Sequence, residues 1–181
     1  MRGSLIFLTK TLADFYLLTF LLRFILQWIR ADFYNPFAQS IVKITNPLIL
    51  PLRRVVPTSN SVDVPTLVAL VLLETIVTWV LVYISGISMT LNLLPLLVLY
   101  RIISLTLWFY SISIFVYVIL SWIGQGGYNP IASILSELNE PLLRPFRRIL
   151  PPLAGLDLSP LLALILIQAG HLAIPLPGYL G

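Results

Sequence analysis

The stretch YNPFAQSIVKITNPLILPLRRVVPTSNSVD, residues 34–63, returns 94 positions later as YNPIASILSELNEPLLRPFRRILPPLAGLD, residues 128–157. When 28–70 is aligned with 122–164 without a gap, 16 of the 43 positions are identical. Proline, tryptophan and paired arginine that recur at one fixed offset are not a product of apolar composition. The pattern therefore indicates an internal duplication.

Long apolar segments flank both copies of this stretch. A transmembrane helix needs about 20 mainly apolar residues, and four segments reach that length: roughly Leu5–Ile29, Val64–Ile84, a segment ending at Ile123, and roughly Leu158–Leu180. Apolar types make up 59% of the chain and charged types 10%, whereas soluble domains average about 45–50% and about 25%. The sequence predicts an all-α membrane protein of two tandem span–amphipathic-helix–span repeats, with about four transmembrane helices.

The duplication also predicts the domain boundaries. We expect a first repeat over 1–84, an apolar linker or interfacial helix over 85–98, and a second repeat over 99–181. Leu91–Ile123 is too long for one upright span and too short for two, and it contains Pro95. A short interfacial or kinked helix is therefore expected near Leu91–Tyr100, followed by one span.

Each loop has the signals of a short amphipathic helix. Asn35-Pro36 and Asn129-Pro130 are typical of a helix start, because asparagine caps free backbone N–H groups and proline suits the first turn. Pro47 and Pro141 are expected to stop or kink these helices. A helix of this kind beside a bilayer most simply lies in the interface plane. The apolar positions that share one face are Phe37, Ile41 and Ile44 in the first copy, and Ile131, Ile134, Leu135 and Leu138 in the second.

These doubled motifs resemble the YggT family, which includes the YlmG proteins and plastid relatives. The resemblance covers essentially the whole chain and implies a multi-pass membrane protein without a firmly assigned biochemical activity. Members are associated with osmotic-stress tolerance and potassium uptake in some bacteria, and with cell division or membrane organisation in others. In the second copy Gly124–Gly127, expected to form a turn, replaces 30–33, so the two loops need not do identical work. The motifs that carry the resemblance are Tyr34-Asn35-Pro36, Pro47-Leu48, Pro51-Leu52-Arg53-Arg54-Val55-Val56-Pro57 and Asp63, with their counterparts 94 residues later.

The distribution of basic residues predicts the orientation. Seven of the 11 Lys and Arg residues lie in the two loops: Arg30, Lys43, Arg53, Arg54, Arg144, Arg147 and Arg148. Short loops rich in Lys and Arg stay cytoplasmic. We expect a protein of the bacterial inner membrane with both loops in the cytoplasm and both termini outside. Trp28 and Trp122 are then expected at the cytoplasmic interface.

Each loop contains a Pro-x-Arg-Arg-x-x-Pro element, and its candidate binding residues are Arg53, Arg54, Arg147 and Arg148. One interpretation is that these arginines only enforce topology and touch headgroups non-specifically. A sharper one is a shaped site for anionic lipid or an acidic partner, because guanidinium matches phosphate geometry. A catalytic phosphate site is a third. Asp63 and Asp157 are expected to cap the helices that follow.

Several polar residues fall inside the predicted spans, namely Asp14, Arg23, Glu74, Gln168 and His171. Depths estimated from the helical rise make an Arg23–Glu74 ion pair plausible. Its counterparts in the second copy are Tyr117 and Gln168. An internal polar clasp between spans and an ion-binding or ion-conducting site are the two interpretations. His171 is expected to hydrogen-bond between helices.

The sequence carries no sign of an enzyme. It has no cysteine and one histidine, and it lacks the phosphate-loop, dinucleotide, zinc-protease and nucleophile-elbow motifs, so we expect no cofactor, no metal and no catalytic residue. The leading hypothesis is a non-enzymatic protein that organises or modulates membrane machinery. Its expected partners are anionic lipids, an unidentified membrane protein and further copies of itself, and not nucleic acid. The alternatives are a transporter or channel component, with potassium as its ion, or a factor in cell division.

Overall fold

The structure, a computed structural model, describes residues 2–57, 62–86, 91–123, 129–149, 157–178 and 180. Within these ranges the chain forms six α-helices and a 3₁₀ turn at Leu91–Leu93, and no strand is present, which confirms the all-α prediction. The turn predicted at Gly124–Gly127 lies outside the described residues. The helices are α1 (Arg2–Trp28), α2 (Pro36–Leu52), α3 (Val64–Ser85), α4 (Leu94–Ile123), α5 (Pro130–Ile149) and α6 (Ser159–Leu172).

Three helices, α1, α3 and α4, are long and apolar enough to cross a membrane. The fourth predicted span is shorter than expected. Its helix, α6, ends at Leu172 after 14 residues, a length of about 21 Å. Pro175 and Pro177 follow shortly afterwards. Because each proline removes a backbone donor and disfavours α geometry in the residue before it, two prolines two residues apart explain the early end.

The expected division of the chain at Pro95 was wrong. Pro95 is the second residue of α4, and α4 runs without a break to Ile123. Proline is tolerated in the first turn because the N–H that it lacks has no partner there in any helix. The 30-residue α4 therefore begins at the preceding turn and includes the residues expected to form a separate interfacial helix.

Of the two outcomes expected at the loop prolines, a stop or a kink, the stop does not occur. Helix α2 continues through Pro47 and Pro51, and α5 continues through Pro141 and Pro145. All four prolines are exposed and lie four residues apart within each helix. The backbone carbonyls that lose a hydrogen bond therefore lie on the exposed side, where other donors can reach them, and the helix can bend there without breaking.

Both loop helices begin where the sequence predicts. Asn35 Oδ1 accepts from the backbone N–H of Phe37 at 2.9 Å, and Asn129 Oδ1 accepts from that of Ile131 at the same distance. The predicted apolar face of α2 is shifted, because Phe37 and Ile44 are exposed. The residues that α2 buries are Ala38, Ile41, Thr45 and Ile49, and those that α5 buries are Ile134, Leu138, Asn139 and Leu143.

The two halves of the chain contact each other through the long apolar helices and through the loop helices α2 and α5. Helix α1 packs closely against α3, and α4 packs against α3, α5 and α6. The main core, which includes Leu17, Phe20 and Leu70, draws residues from α1 to α5. At the loop side Asn35 Nδ2 donates to the carbonyl oxygen of Pro130 at 2.8 Å. The starts of α2 and α5 are thereby held together.

Candidate functional site

The first Arg-Arg pair lies where α2 ends and is divided between two environments. Arg53 Nη2 donates to Asp63 Oδ2 at 3.2 Å. Asp63 itself is buried and also accepts from the hydroxyl of Thr66 at 2.6 Å. Because Asp63 immediately precedes α3, this contact ties the end of α2 to the start of the next span.

The second pair repeats this arrangement. Arg147 Nε donates to Asp157 Oδ2 at 2.8 Å, and its other nitrogens donate to Glu140 and to the hydroxyl of Tyr117. Burial opposes the charge of Arg147, but these hydrogen bonds and the Glu140 charge outweigh it and raise the arginine's pKa. For Asp157, burial would raise the pKa, yet the bonds from Ser159 and Arg147 lower it. Arg147 is therefore committed to holding α5 beside α6.

The second arginine of each pair has a different environment. Arg54 and Arg148 are exposed, and neither side chain makes a hydrogen bond or ion pair within the described part of the chain. Each is followed by an exposed aliphatic side chain, Val55 at 82% and Ile149 at 69% exposure. The four predicted residues therefore do not form one site. In each pair one arginine is bonded to the aspartate that precedes the next helix, and the other is presented outward beside an apolar neighbour.

The two aspartates cap their helices unequally. Asp157 Oδ1 accepts from the backbone N–H of Ser159 at 2.9 Å, as expected for a residue at a helix start. Asp63 occupies the cap position of α3 but makes no side-chain bond to the helix backbone. Its carboxylate is directed instead to Thr66 and to the arginines, so its expected capping role was wrong in its detail.

The predicted Arg23–Glu74 pair was wrong. Arg23 is buried and directed toward α2, where Nη1 donates to Thr45 Oγ1 at 2.6 Å and Asn46 Oδ1 at 2.9 Å. Its Nε lies 3.8 Å from Asp63 Oδ2. Matching depth was not enough, because depth does not specify the direction in which a side chain leaves its helix.

Glu74 pairs instead with Arg101, a residue near the start of α4. Arg101 is buried and donates from Nε to Glu74, from Nη2 to Asp14 Oδ1 at 2.7 Å, and from Nη1 to the carbonyl oxygen of Leu180 at 2.8 Å. Lys10 Nζ lies 3.4 Å from Asp14 Oδ2. The missed signal is that Arg101 is the sole charge between Glu74 and Glu137 in the sequence. An isolated arginine in a long apolar segment needs an ionic partner from another span.

The remaining predicted polar residues lie on α6. Gln168 is exposed. His171 is partly buried, and its Nδ1 is buried without a hydrogen-bond partner in the described ranges, so the expected interhelical bond is not present there. Among the same residues no group of three or more His, Cys, Asp or Glu side chains is arranged to hold a metal ion.

Comparisons with known proteins agree with the motifs. The family described as CCB3/YggT matches residues 3–84 and again 96–174. An uncharacterized protein of Pseudomonas aeruginosa is 41% identical over 171 residues, covering 93% of this chain and 86% of the relative. The uncharacterized protein YggT of Escherichia coli K12 is 37% identical over 181 residues, covering 95% and 89%. No solved structure matches this chain.

Proposed function

Because this chain belongs to the CCB3/YggT family, and because both of its loop helices end in an outward arginine beside an exposed aliphatic residue, we propose that its loop face binds anionic lipid headgroups. Arg54 and Arg148 are the binding residues. The proposal places the chain in the bacterial inner membrane, with the loops in the cytoplasm and the termini outside. Its role there is non-enzymatic, namely to organise or modulate neighbouring membrane components.

The division of labour within each arginine pair carries this proposal. An arginine bonded to aspartate is held in one orientation with part of its donors used, whereas a free guanidinium can turn to donate two parallel hydrogen bonds to one phosphate. An exposed Val55 or Ile149 beside it can enter the acyl region while the arginine stays at headgroup depth. The same two-residue unit recurs in both halves, so two headgroups could be held at once.

The backbone at this point is ordered enough to present a side chain. After α2 ends, Arg54 N–H donates to the carbonyl oxygen of Pro51 at 3.2 Å, and Val56 N–H donates to that of Leu52 at 2.8 Å. Arg53 is also fixed by Asp63. The turn that carries Arg54 is therefore held on both sides, which lowers the ordering cost of binding.

Replacing arginine by lysine at the two kinds of position separates binding from stability. We expect Arg54→Lys/Arg148→Lys to leave the thermal midpoint unchanged but to weaken retention of phosphatidylglycerol about tenfold, the loss of one charge-assisted bond. The matched variant, Arg53→Lys/Arg147→Lys, carries the same charge. It should lower the thermal midpoint and leave the retention of phosphatidylglycerol unchanged. Native mass spectrometry of the full chain in uncharged detergent, with phosphatidylcholine as competitor, measures the retention.

Equal retention by wild-type protein and Arg54→Lys/Arg148→Lys would mean that Arg54 and Arg148 only enforce the topology and do not form a shaped binding site. Loss of retention in both double variants alike would mean that all four guanidinium groups contribute to binding and that the proposed division within each pair is wrong. The family resemblance implies osmotic tolerance as the physiological setting. The same variants are therefore to be compared for growth after a hyperosmotic shift, where only Arg54→Lys/Arg148→Lys should impair recovery without lowering protein level.

A further inference from the structure

A cavity of about 240 Å³ lies between α1, α4 and α6, and it shares no residue with the loop arginines. Its volume is enough for a small organic molecule or for the headgroup of a lipid. Both charged and aromatic side chains line it. Those that matter for recognition are Lys10, Asp14, Phe15, Arg101, Trp108 and His171.

The cavity lies on the side of the membrane opposite the loops. Lys10 precedes Trp28 by 18 residues, and Arg101 precedes Trp122 by 21 residues. At the helical rise these separations are about 27 Å and about 32 Å, close to the full thickness of about 30 Å of a hydrocarbon core. With both tryptophans at the loop-side interface, Lys10 and Arg101 reach the opposite headgroup boundary, where a ligand can enter from water or from the outer lipid layer.

The ion-pair cluster at the cavity is balanced before any ligand is present. Lys10, Asp14 and Arg101 line the cavity, and Glu74, which does not line it, is paired with Arg101, so two carboxylates face two cations. A single ion bound here would leave a net charge in a poorly solvated site, which is costly. A ligand that carries one positive and one negative group preserves the balance.

The Lys10–Asp14 ion pair is the one that a ligand can separate most readily. The Lys10 and Asp14 side chains are 28% and 24% exposed and their charged atoms are 3.4 Å apart. Arg101, by contrast, is buried and bonded to Glu74, Asp14 and the Leu180 carbonyl. A ligand can therefore separate Lys10 from Asp14 while Arg101 continues to orient the Asp14 carboxylate.

Two further features favour an amine and an acidic group. The rings of Phe15 and Trp108 line the cavity, and aromatic faces attract ammonium groups. His171 lines it too, and its buried Nδ1 lacks a partner within the described ranges. An imidazole nitrogen can accept a hydrogen bond from a ligand or donate one to it.

We propose that this cavity binds a zwitterion, with its amine at Asp14 and its carboxylate or phosphate at Lys10. Two sources offer this chemistry, a soluble amino-acid-like solute and the headgroup of an aminophospholipid. The two are distinguished by whether the ligand binds from water or only as part of a bilayer.

The soluble source is tested by titrating β-alanine and phosphoethanolamine into the full chain in uncharged micelles, followed by calorimetry. We expect saturable binding that Lys10→Met weakens at least about tenfold, the loss of one bond to a charged group. The matched control, Lys43→Met, removes an exposed loop lysine on α2 and should bind as wild type. Thr11→Phe fills the cavity without changing charge, and it provides a second variant if Lys10→Met folds poorly.

The lipid source is tested in nanodiscs of phosphatidylglycerol alone and of an equal mixture with phosphatidylethanolamine. Stabilisation by the mixture that disappears in Lys10→Met and Thr11→Phe, with no binding of the soluble probes, assigns the site to the headgroup. Binding of the soluble probes that both variants weaken assigns it to a solute. The proposal is overturned if neither probe nor lipid has an effect, or if the effects persist in both variants.

Discussion

At the scale of single residues, the buried arginines show why guanidinium is used here. Arg101 holds Glu74, Asp14 and the Leu180 carbonyl with three different nitrogens. Arg23 likewise joins Thr45 and Asn46 while lying near Asp63. A lysine ammonium is a compact point charge on a flexible stem and lacks the fixed fork that reaches several helices at once. Each arginine therefore acts as a junction between helices.

The Arg101 junction predicts a strong energetic coupling. Arg101→Met alone leaves Glu74 buried without its partner and should destabilise the protein by about 3–5 kcal/mol. Combining it with Glu74→Gln removes the stranded charge, so the double variant should be more stable than the sum of the single effects predicts, by about 0.5–3 kcal/mol. Denaturant unfolding in mixed micelles measures the cycle.

The control for this cycle uses Arg23, which the sequence analysis predicted to be the partner of Glu74. Arg23 and Glu74 share no partner in the structure, so Arg23→Met and Glu74→Gln should add to within about 0.5 kcal/mol. Coupling between Arg23 and Glu74, with additivity for Arg101 and Glu74, would contradict the arrangement described above.

At the scale of helices, the ends of the loop helices are fixed by side chains from the spans. Asp63 and Asp157 stand before α3 and α6 and each receives the first arginine of its pair. Tyr117 on α4 adds a hydroxyl to the second set. Arginine, aspartate and the helix start thus form one unit in each half, which orients the following residue outward.

The lowered pKa of Asp157 gives this unit a pH dependence. Because the folded-state pKa lies below the unfolded value of about 3.9, the carboxylate contributes its full stability above that value and loses it as the pH falls through the folded pKa. The difference in thermal midpoint between wild type and Asp157→Asn should be constant from pH 7 to 5 and shrink below pH 4. A difference that grows on acidification would contradict the assignment.

Local chemistry explains which of these helices could be predicted. The starts at Asn35 and Asn129 depend on a side chain and its own backbone, so the sequence reveals them directly. The continuation of α2 through Pro47 could not be foreseen, because it depends on which face of the helix packs against the spans. The apolar length of the last segment predicted a full span, and it did not reveal that Pro175 and Pro177 end α6 early.

The same reasoning applies to the site. The importance of the arginine pairs follows from their recurrence, but their division into bound and free members depends on Asp63 and Asp157 approaching from a different helix. The Arg101 contacts join residues 27 and 87 positions apart. No local pattern encodes such partners, and depth along a helix leaves the direction of the side chain undetermined.

At the scale of the whole molecule, the halves are joined at two levels. On the loop side the Asn35 amide bonds to Pro130. Farther along the helices, Arg101 of the second half bonds to Asp14 and Glu74 of the first. At this second level, buried Glu74 of the first half and buried Arg101 of the second half are ion-pair partners, so neither half neutralises its own buried charge. The polar groups are therefore concentrated at two depths with apolar helix between them.

The proposed orientation predicts which positions a membrane-impermeant thiol reagent can reach. The chain has no cysteine, so each introduced one is the single thiol present. Ser40→Cys and Ser136→Cys, at exposed polar positions of the two loop helices, should be labelled only after cells are opened, because both loops carry the basic residues that stay cytoplasmic. Ser4→Cys should be labelled in intact cells. The reverse pattern would invert the topology.

The position of Arg101 in the chain has a consequence for biosynthesis. A ribosome delivers Asp14 and Glu74 to the membrane before their arginine, which follows Glu74 by 27 residues. A carboxylate at the centre of a helix costs about 2.5–3.5 kcal/mol on insertion scales. We therefore expect the two spans α1 and α3 to leave the insertion machinery at low cost only when α4 arrives with Arg101 to neutralise their carboxylates. Synthesis of the second half completes the lateral release of the first, and a nascent chain stopped before residue 101 should be held at the translocation channel.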